Sequence, residues 1–170
     1  EKRLIEAFTS FDSLTGAYNR GAGIQMFEAD YRQTKSDKRG LGILFMDING
    51  LKIVNDTLGH EVGDRLIKDT VVNIKESIRQ DDYIVRMGGD EFLVCLPNST
   101  KQAVDEVKER IESNLDKSNK TNENEYNISI GIGIEHYNGR RKISSEELLE
   151  HADKKMYEDK AIKKKKLNLK

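Results

Sequence analysis

Two strand-like runs, Tyr83 to Met87 and Glu91 to Leu96, are separated only by Gly88-Gly89-Asp90. Three residues of that composition close a tight antiparallel hairpin, which weighs against a doubly wound parallel sheet. The rest of the chain must be arranged around this hairpin. Upstream, Leu41 to Ile48 is a short apolar block with Asp47 near its end, and it reads as a buried strand carrying a carboxylate at its tip. Downstream, Ile128, Ile130, Ile132 and Ile134 alternate with Asn127, Ser129, Gly131 and Gly133, the period of a half-buried strand over residues 126–134.

Helical periodicity fills the intervals. Ile24, Phe27 and Tyr31 predict a helix over about residues 19–35, and Val62, Leu66, Ile67, Val71, Ile74 and Ile78 trace one face of a helix over 62–78. Ala103, Val104, Val107, Ile111 and Leu115 mark a third, followed by a polar stretch over 116–125 that reads as a loop, and a last helix starts near Ser144. Leu4, Ile5 and Phe8 make residues 1–10 the end of a connecting helix, leaving 11–170 as one domain. The order of elements, without internal repeats, predicts an α+β fold. Its expected form is a palm-like or ferredoxin-like sandwich with a central, mainly antiparallel sheet flanked by helices.

A chain of 170 residues is long enough for one core that buries about two-thirds of its unfolded surface. The net charge of −1 gives no general case for a nucleic-acid partner, although six lysines and no acid fall between Lys160 and Lys170. The single cysteine, Cys95, lies in an apolar run and suits a reducing, cytoplasmic setting. No apolar stretch approaches the roughly 20 residues of a membrane span. A start at Glu1 rather than methionine leads to the expectation of a longer protein with an upstream sensor, regulatory domain or membrane anchor.

Two acidic positions stand out: Asp47 at one strand end, and Asp90 with Glu91 in the hairpin. Were those strands neighbours, the carboxylates would converge and offer hard oxygen ligands suited to Mg²⁺; otherwise they are solvated turns. Between them, Asp47 to Asp56 and Gly59-His60 through Gly63-Asp64 form a polar, glycine-punctuated stretch. Its backbone amides, at Gly50 and Leu51 among others, suit phosphates, and Lys52 adds a point charge. Asn55 and Asp64 have the donor and acceptor set to read a guanine edge, or they cap turns and helix starts. A P-loop, a dinucleotide fingerprint, a zinc-protease helix at His60-Glu61 and an EF-hand at Asp47 all fail on spacing.

Gly88-Gly89-Asp90-Glu91-Phe92 is accompanied in order by Asp12-Ser-Leu-Thr-Gly-Ala-Tyr-Asn-Arg20, the Asp47 to Asp56 stretch, Gly59-His-Glu-Val-Gly-Asp64, and Ala152-Asp153 with Met156-Tyr157-Glu-Asp-Lys160. This set resembles the GGDEF family of diguanylate cyclase domains over nearly the whole chain. The resemblance implies condensation of two GTP into cyclic di-GMP, with Asp47, the Ile48 carbonyl, Asp90 and Glu91 holding Mg²⁺ or Mn²⁺, two ions per site. It implies Asn55 and Asp64 on guanine with His60 close by. Gly50, Leu51, Lys52, Lys160 and Lys164 would serve the phosphates, and Asp90 would accept the 3′-hydroxyl proton. Each domain then carries half a reaction, so a homodimer is expected. Arg79 and Asp82 match the family's RxxD inhibitory site for cyclic di-GMP. The chain departs from the family at Asn49, where many members carry a second Asp, and at Lys163 to Lys166, which replaces a Gly-Arg-Asn run. The rival within the family is a silent domain that binds GTP or cyclic di-GMP and signals through a partner; such domains typically lose the acids present here.

Overall fold

The eight residues Leu41–Ile48 are all buried, and they form β1 in the interior of a four-stranded antiparallel sheet. The computed structural model describes residues 10–165, so the connecting-helix reading at Leu4, Ile5 and Phe8 and the lysines beyond Lys165 lie outside the described residues. In chain order the elements are α1 (Arg20–Asp37), β1, α2 (Leu51–Leu58), α3 (His60–Ser77), β2 (Tyr83–Arg86), β3 (Glu91–Pro97), α4 (Lys101–Thr121), β4 (Ile130–Tyr137) and α5 (Ser145–Lys164). The sheet order β2-β3-β1-β4, with β3 inserted between β1 and β2, is the split arrangement expected of a ferredoxin-like sandwich.

The period of two along β1 sends its side chains to two separate cores. Leu44, Met46 and Ile48 join Phe92, Val94 and Leu96 beneath α3 and α4. Ile43 and Phe45 join Val85, Leu93 and Cys95 beneath α1 and α5. Coverage on both faces is why β1 reads as a continuous apolar run.

Two expectations are corrected and one element is added. Leu51–Leu58, in the polar, glycine-punctuated stretch to which the sequence assigned no element, is a short helix. Gly50 (φ 75°) and Gly59 (φ 93°) terminate it, and Leu51, Val54 and Leu58 turn one stripe to the core. The stretch 116–121, read as loop, continues α4: the helix outruns the sheet, so its apolar periodicity stops at Leu115 while Asn119 pairs with Ile128 through N–H donation at 2.7 and 2.8 Å. The last strand begins at Ile130, runs to Tyr137, and is not half-solvated. Gly131 and Gly133 are buried because α5 lies against them: a Cβ on Gly131 would sit 2.6 Å from the Lys160 Cβ, and one on Gly133 would sit 1.9 Å from the Ala152 carbonyl oxygen.

The outer edge of β4 is laced by side chains from α5 and the preceding loop. Lys163 donates to Ile130 O (3.1 Å), Ile132 N donates to Asp159 (2.8 Å), Lys155 donates to Ile134 O (3.3 Å) and Arg141 to His136 O (3.1 Å). At the other edge, Tyr18 forms a parallel bridge to Val85 of β2. Neither edge is left as an open template for strand addition.

Gly133→Ala should therefore lower stability by about 1–3 kcal/mol, the cost of forcing a methyl group into a filled contact. Urea denaturation tests this, and an unchanged midpoint would contradict the packing of α5 on β4.

Candidate active site

The register of the sheet brings the expected acids together. Asp47 pairs with Glu91 across β1 and β3, so the two side chains leave the same face. Asp90 precedes Glu91 in the hairpin turn. Asp47, Asp90 and Glu91 each present a carboxylate oxygen, and these oxygens all lie within 4.8 Å of one another. Backbone bonds hold the strand tip: Ile48 N donates to Asp90 O (2.9 Å), Asn49 N to Ser129 O (2.7 Å) and Asn49 Nδ2 to Ser129 Oγ (3.0 Å).

Asp47 is 7% exposed, and burial, with Asp90 beside it, pushes its carboxyl up to about 6 against the pull of Lys160. Lys160 Nζ stands 3.0 Å from Asp47 Oδ2. Asp47 Oδ1 is buried and has no hydrogen-bond partner among the described residues. Three hard oxygen donors, one of them orphaned and desolvated, fit a divalent cation of the Mg²⁺ or Mn²⁺ type.

Lys160 reaches this point because Gly131, which pairs with Asp47 in β4, has no side chain to hold α5 away. Sequence spacing gave no hint of that. A glycine recurring on one face of an otherwise apolar strand is the signal that would have found it, since it marks a close backbone approach.

The hairpin is braced by residues the sequence reading left without a role. Arg86 donates to both carboxylate oxygens of Asp12 (3.1 Å each), to Gly88 O (3.2 Å) and to Gly89 O (2.9 Å), and Arg20 donates to Met87 O (3.3 Å). Asp12 is itself fixed by the Thr15 N–H (2.9 Å) and hydroxyl (2.7 Å). Burial would push the Asp12 carboxyl up, but these bonds and Arg86 outweigh it and hold it below the usual range. An Asp followed three residues later by Thr is a local turn signature, so half of this brace was legible.

The remaining candidates follow the strand tip outward. Gly50, Leu51 and Lys52 open α2, with the Lys52 side chain exposed. Asn55 lies against the Gly63 backbone, where a Cβ would fall 1.7 Å from Asn55 Oδ1; the neighbouring Asp64 and His60 are exposed at the start of α3. Lys164 is one turn beyond Lys160 and lines a groove of about 510 Å³ with Tyr157 and Ala161.

Arg79 and Asp82 stand apart from this group. Arg79 donates to Pro97 O (3.0 Å), and Pro97 pairs with Leu41, six residues from Asp47 along β1. That is about 20 Å away at the rise of a strand. Asp82, its side chain 1% exposed, accepts from the Arg79 backbone N–H (2.8 Å) and guanidinium (3.1 and 3.3 Å), while 57% of the Arg79 side chain is exposed.

A profile of the family described as "Diguanylate cyclase, GGDEF domain" matches residues 9–166. Among curated proteins, the chain is 43% identical over 106 residues to the probable diguanylate cyclase DgcJ of Escherichia coli, covering 61% of this chain and 21% of that one. It is 38% identical over 124 residues to diguanylate cyclase A of Treponema denticola, covering 72% and 33%. The chain thus spans about a third or less of the length of these relatives. Among solved structures, the GGDEF domain of TpbB (YfiN) from Pseudomonas aeruginosa superposes with a TM-score of 0.80 at 28% identity, covering 89% of each chain.

Without a divalent cation, the raised carboxyl of Asp47 makes stability depend on pH. The folded chain holds this proton more tightly than the unfolded chain, so the contribution is complete below 3.8 and lost as pH rises through about 6. The stability of Asp47→Asn relative to wild type, measured by urea in chelator, should therefore grow between about pH 4 and 6.5, on the order of 2–3 kcal/mol. A difference that stays flat would contradict the burial of a strained carboxylate.

Proposed function

The chain belongs to the GGDEF family of diguanylate cyclase domains, and from that premise we propose that it condenses two GTP molecules into cyclic di-GMP and two pyrophosphates. The observation that carries this reading is the convergence of Asp47, Asp90 and Glu91 beside Lys160, with an unpartnered carboxylate oxygen in the cluster. The acids whose loss would mark a silent family member are all in place.

In this reading Asp47, the Ile48 carbonyl, Asp90 and Glu91 would hold two Mg²⁺ or Mn²⁺ ions, which would supply charge neutralisation at the α-phosphate and acidify the attacking hydroxyl. The chain's own groups do the rest. Asn55 and Asp64 hydrogen-bond the guanine edge from the α2 to α3 elbow, with His60 at its rim. The N–H groups of Gly50 and Leu51, with Lys52, take up phosphate charge at the start of α2, and Lys160 and Lys164 do so from α5. Asp90 accepts the proton of the 3′-hydroxyl as its oxygen attacks the α-phosphate of the GTP held by a second copy.

One copy offers one guanine-reading pair and one carboxylate cluster. Closing both phosphodiester bonds therefore calls for two copies related by a two-fold axis. Cyclic di-GMP acts as an inhibitor at Arg79, about 20 Å from the carboxylates along β1. The exposed guanidinium makes the first contact, and Asp82 keeps it in position. Residues 11–170 form the cyclase domain.

Purified chain incubated at high concentration with GTP and Mg²⁺ should release cyclic di-GMP, and Asp90→Ala should lower the rate by at least about 100-fold. GTP binding without product would instead support a signalling module. In the same assay, added cyclic di-GMP should slow the wild type, with at least about tenfold weaker inhibition of Arg79→Ala, as expected from losing a charge-assisted bond. Equal inhibition of the two would refute the inhibitory site.

A further inference from the structure

A second concentration of charge lies on the outer edge of β4, away from the carboxylates. Glu135 has a side chain only 6% exposed, yet it receives Arg141 Nη1 at 2.7 Å and Lys155 Nζ at 3.0 Å, with His151 Nδ1 at 3.7 Å. Burial pushes the Glu135 carboxyl up, but Arg141 and Lys155 outweigh it and hold it below the usual range. Two permanent cations therefore face one anion.

Those cations are held in place before any ligand arrives. Besides binding Glu135, Arg141 donates to His136 O and Lys155 to Ile134 O. The loop carrying Arg141 is fixed by Asn138 Oδ1, which accepts from the Arg140 and Arg141 N–H groups at 2.8 Å each. Between them lies a partly enclosed cleft of about 270 Å³, whose walls add Lys101, His136 and Asn138, with Val104 and Ile134 as an apolar floor. Among the described residues, the ion-pair partner of Lys101 is the half-buried Asp105, 3.8 Å away. Arg140 and Lys142 are exposed beside the mouth.

We propose that this cleft binds a small phosphate-bearing anion, a phosphate or diphosphate group. A guanidinium fork and two ammonium groups around one pocket match tetrahedral oxyanions, and their prior fixation reduces the ordering cost of binding. Surplus positive charge at the mouth of a low-dielectric cleft also concentrates anions there. Glu135 pairs with Ile43, four residues along β1 from Asp47, so the site lies about 13 Å from the carboxylate cluster. It does not depend on the cyclase reading.

Inorganic pyrophosphate is the probe, titrated into the full chain in chelator and followed by amide NMR shifts. To weaken the phosphate contacts proposed at the catalytic rim without breaking the Lys160–Asp47 ion pair, the background carries Lys52→Ala and Lys164→Ala, both at exposed positions. The expected result is saturable shifts at Lys101, at residues 134–138 and at Arg141, beyond those produced by sodium chloride at equal ionic strength. Lys101→Glu, a surface change, should weaken the titration by about fivefold or more through charge reversal. Glu135→Gln combined with Arg141→Gln, which strands no buried charge, should abolish it. Shifts confined to the rim, shifts matched by sodium chloride, or equal affinity in these variants would overturn the proposal.

Discussion

The arrangement depends on how a carboxylate can be kept at the tip of a strand covered on both faces. Asp47 is buried, lies beside Asp90 and Glu91, and has one oxygen without a protein partner. Its other oxygen is answered by Lys160 at 3.0 Å. That ion pair exists only if α5 approaches the sheet closely at one register. Gly131 and Gly133 provide the space, and the Lys155, Asp159 and Lys163 bonds to the edge of β4 set the register. Burial of Lys163 is offset by Asp159 and Glu112, which raise its pKa and keep it charged.

The opposing carboxylates need equal rigidity, and a glycine-rich turn does not provide it alone. Arg86 supplies it by gathering two turn carbonyls and clamping Asp12, which its own Thr15 bonds have already oriented. The catalytic candidates thus stand on a strand end and a braced hairpin rather than on loose loops, the condition under which small distances can be held. Asn55 and Asp64 lie on either side of a helical elbow formed at Gly59, whose φ of 93° and ψ of 162° are open essentially to glycine alone.

Much of this was legible in the chain. β1 and the hairpin were readable because buried strands and a Gly-Gly-Asp turn leave local patterns, and Asp47 and Asp90 were readable as acids at strand ends. The helix α2 was not, because eight residues that include Asn55, Asp56 and Thr57 have little intrinsic preference for helix and depend on flanking glycines and the core. The full burial of β4 was hidden because Gly131 and Gly133 look like exposed positions until α5 is placed on them. Contacts between distant segments had no local signature: Arg86 and Asp12 are 74 residues apart. The RxxD segment was located, and an Arg and an Asp three apart at a helix end are an ion-pair pattern, but the burial of Asp82 beneath Arg79 left no local sign.

The fold gathers Asp47, Asp90 and Glu91 into a carboxylate cluster that fits a divalent cation. Titration with Mn²⁺, followed by paramagnetic broadening of backbone amides, tests it most directly. Broadening should begin at residues 47–49 and 88–91, and Asp47→Asn should remove it at low ion concentration. Broadening that begins instead at exposed acids such as Glu106 and Glu109 of α4, or that is unchanged in Asp47→Asn, would contradict it.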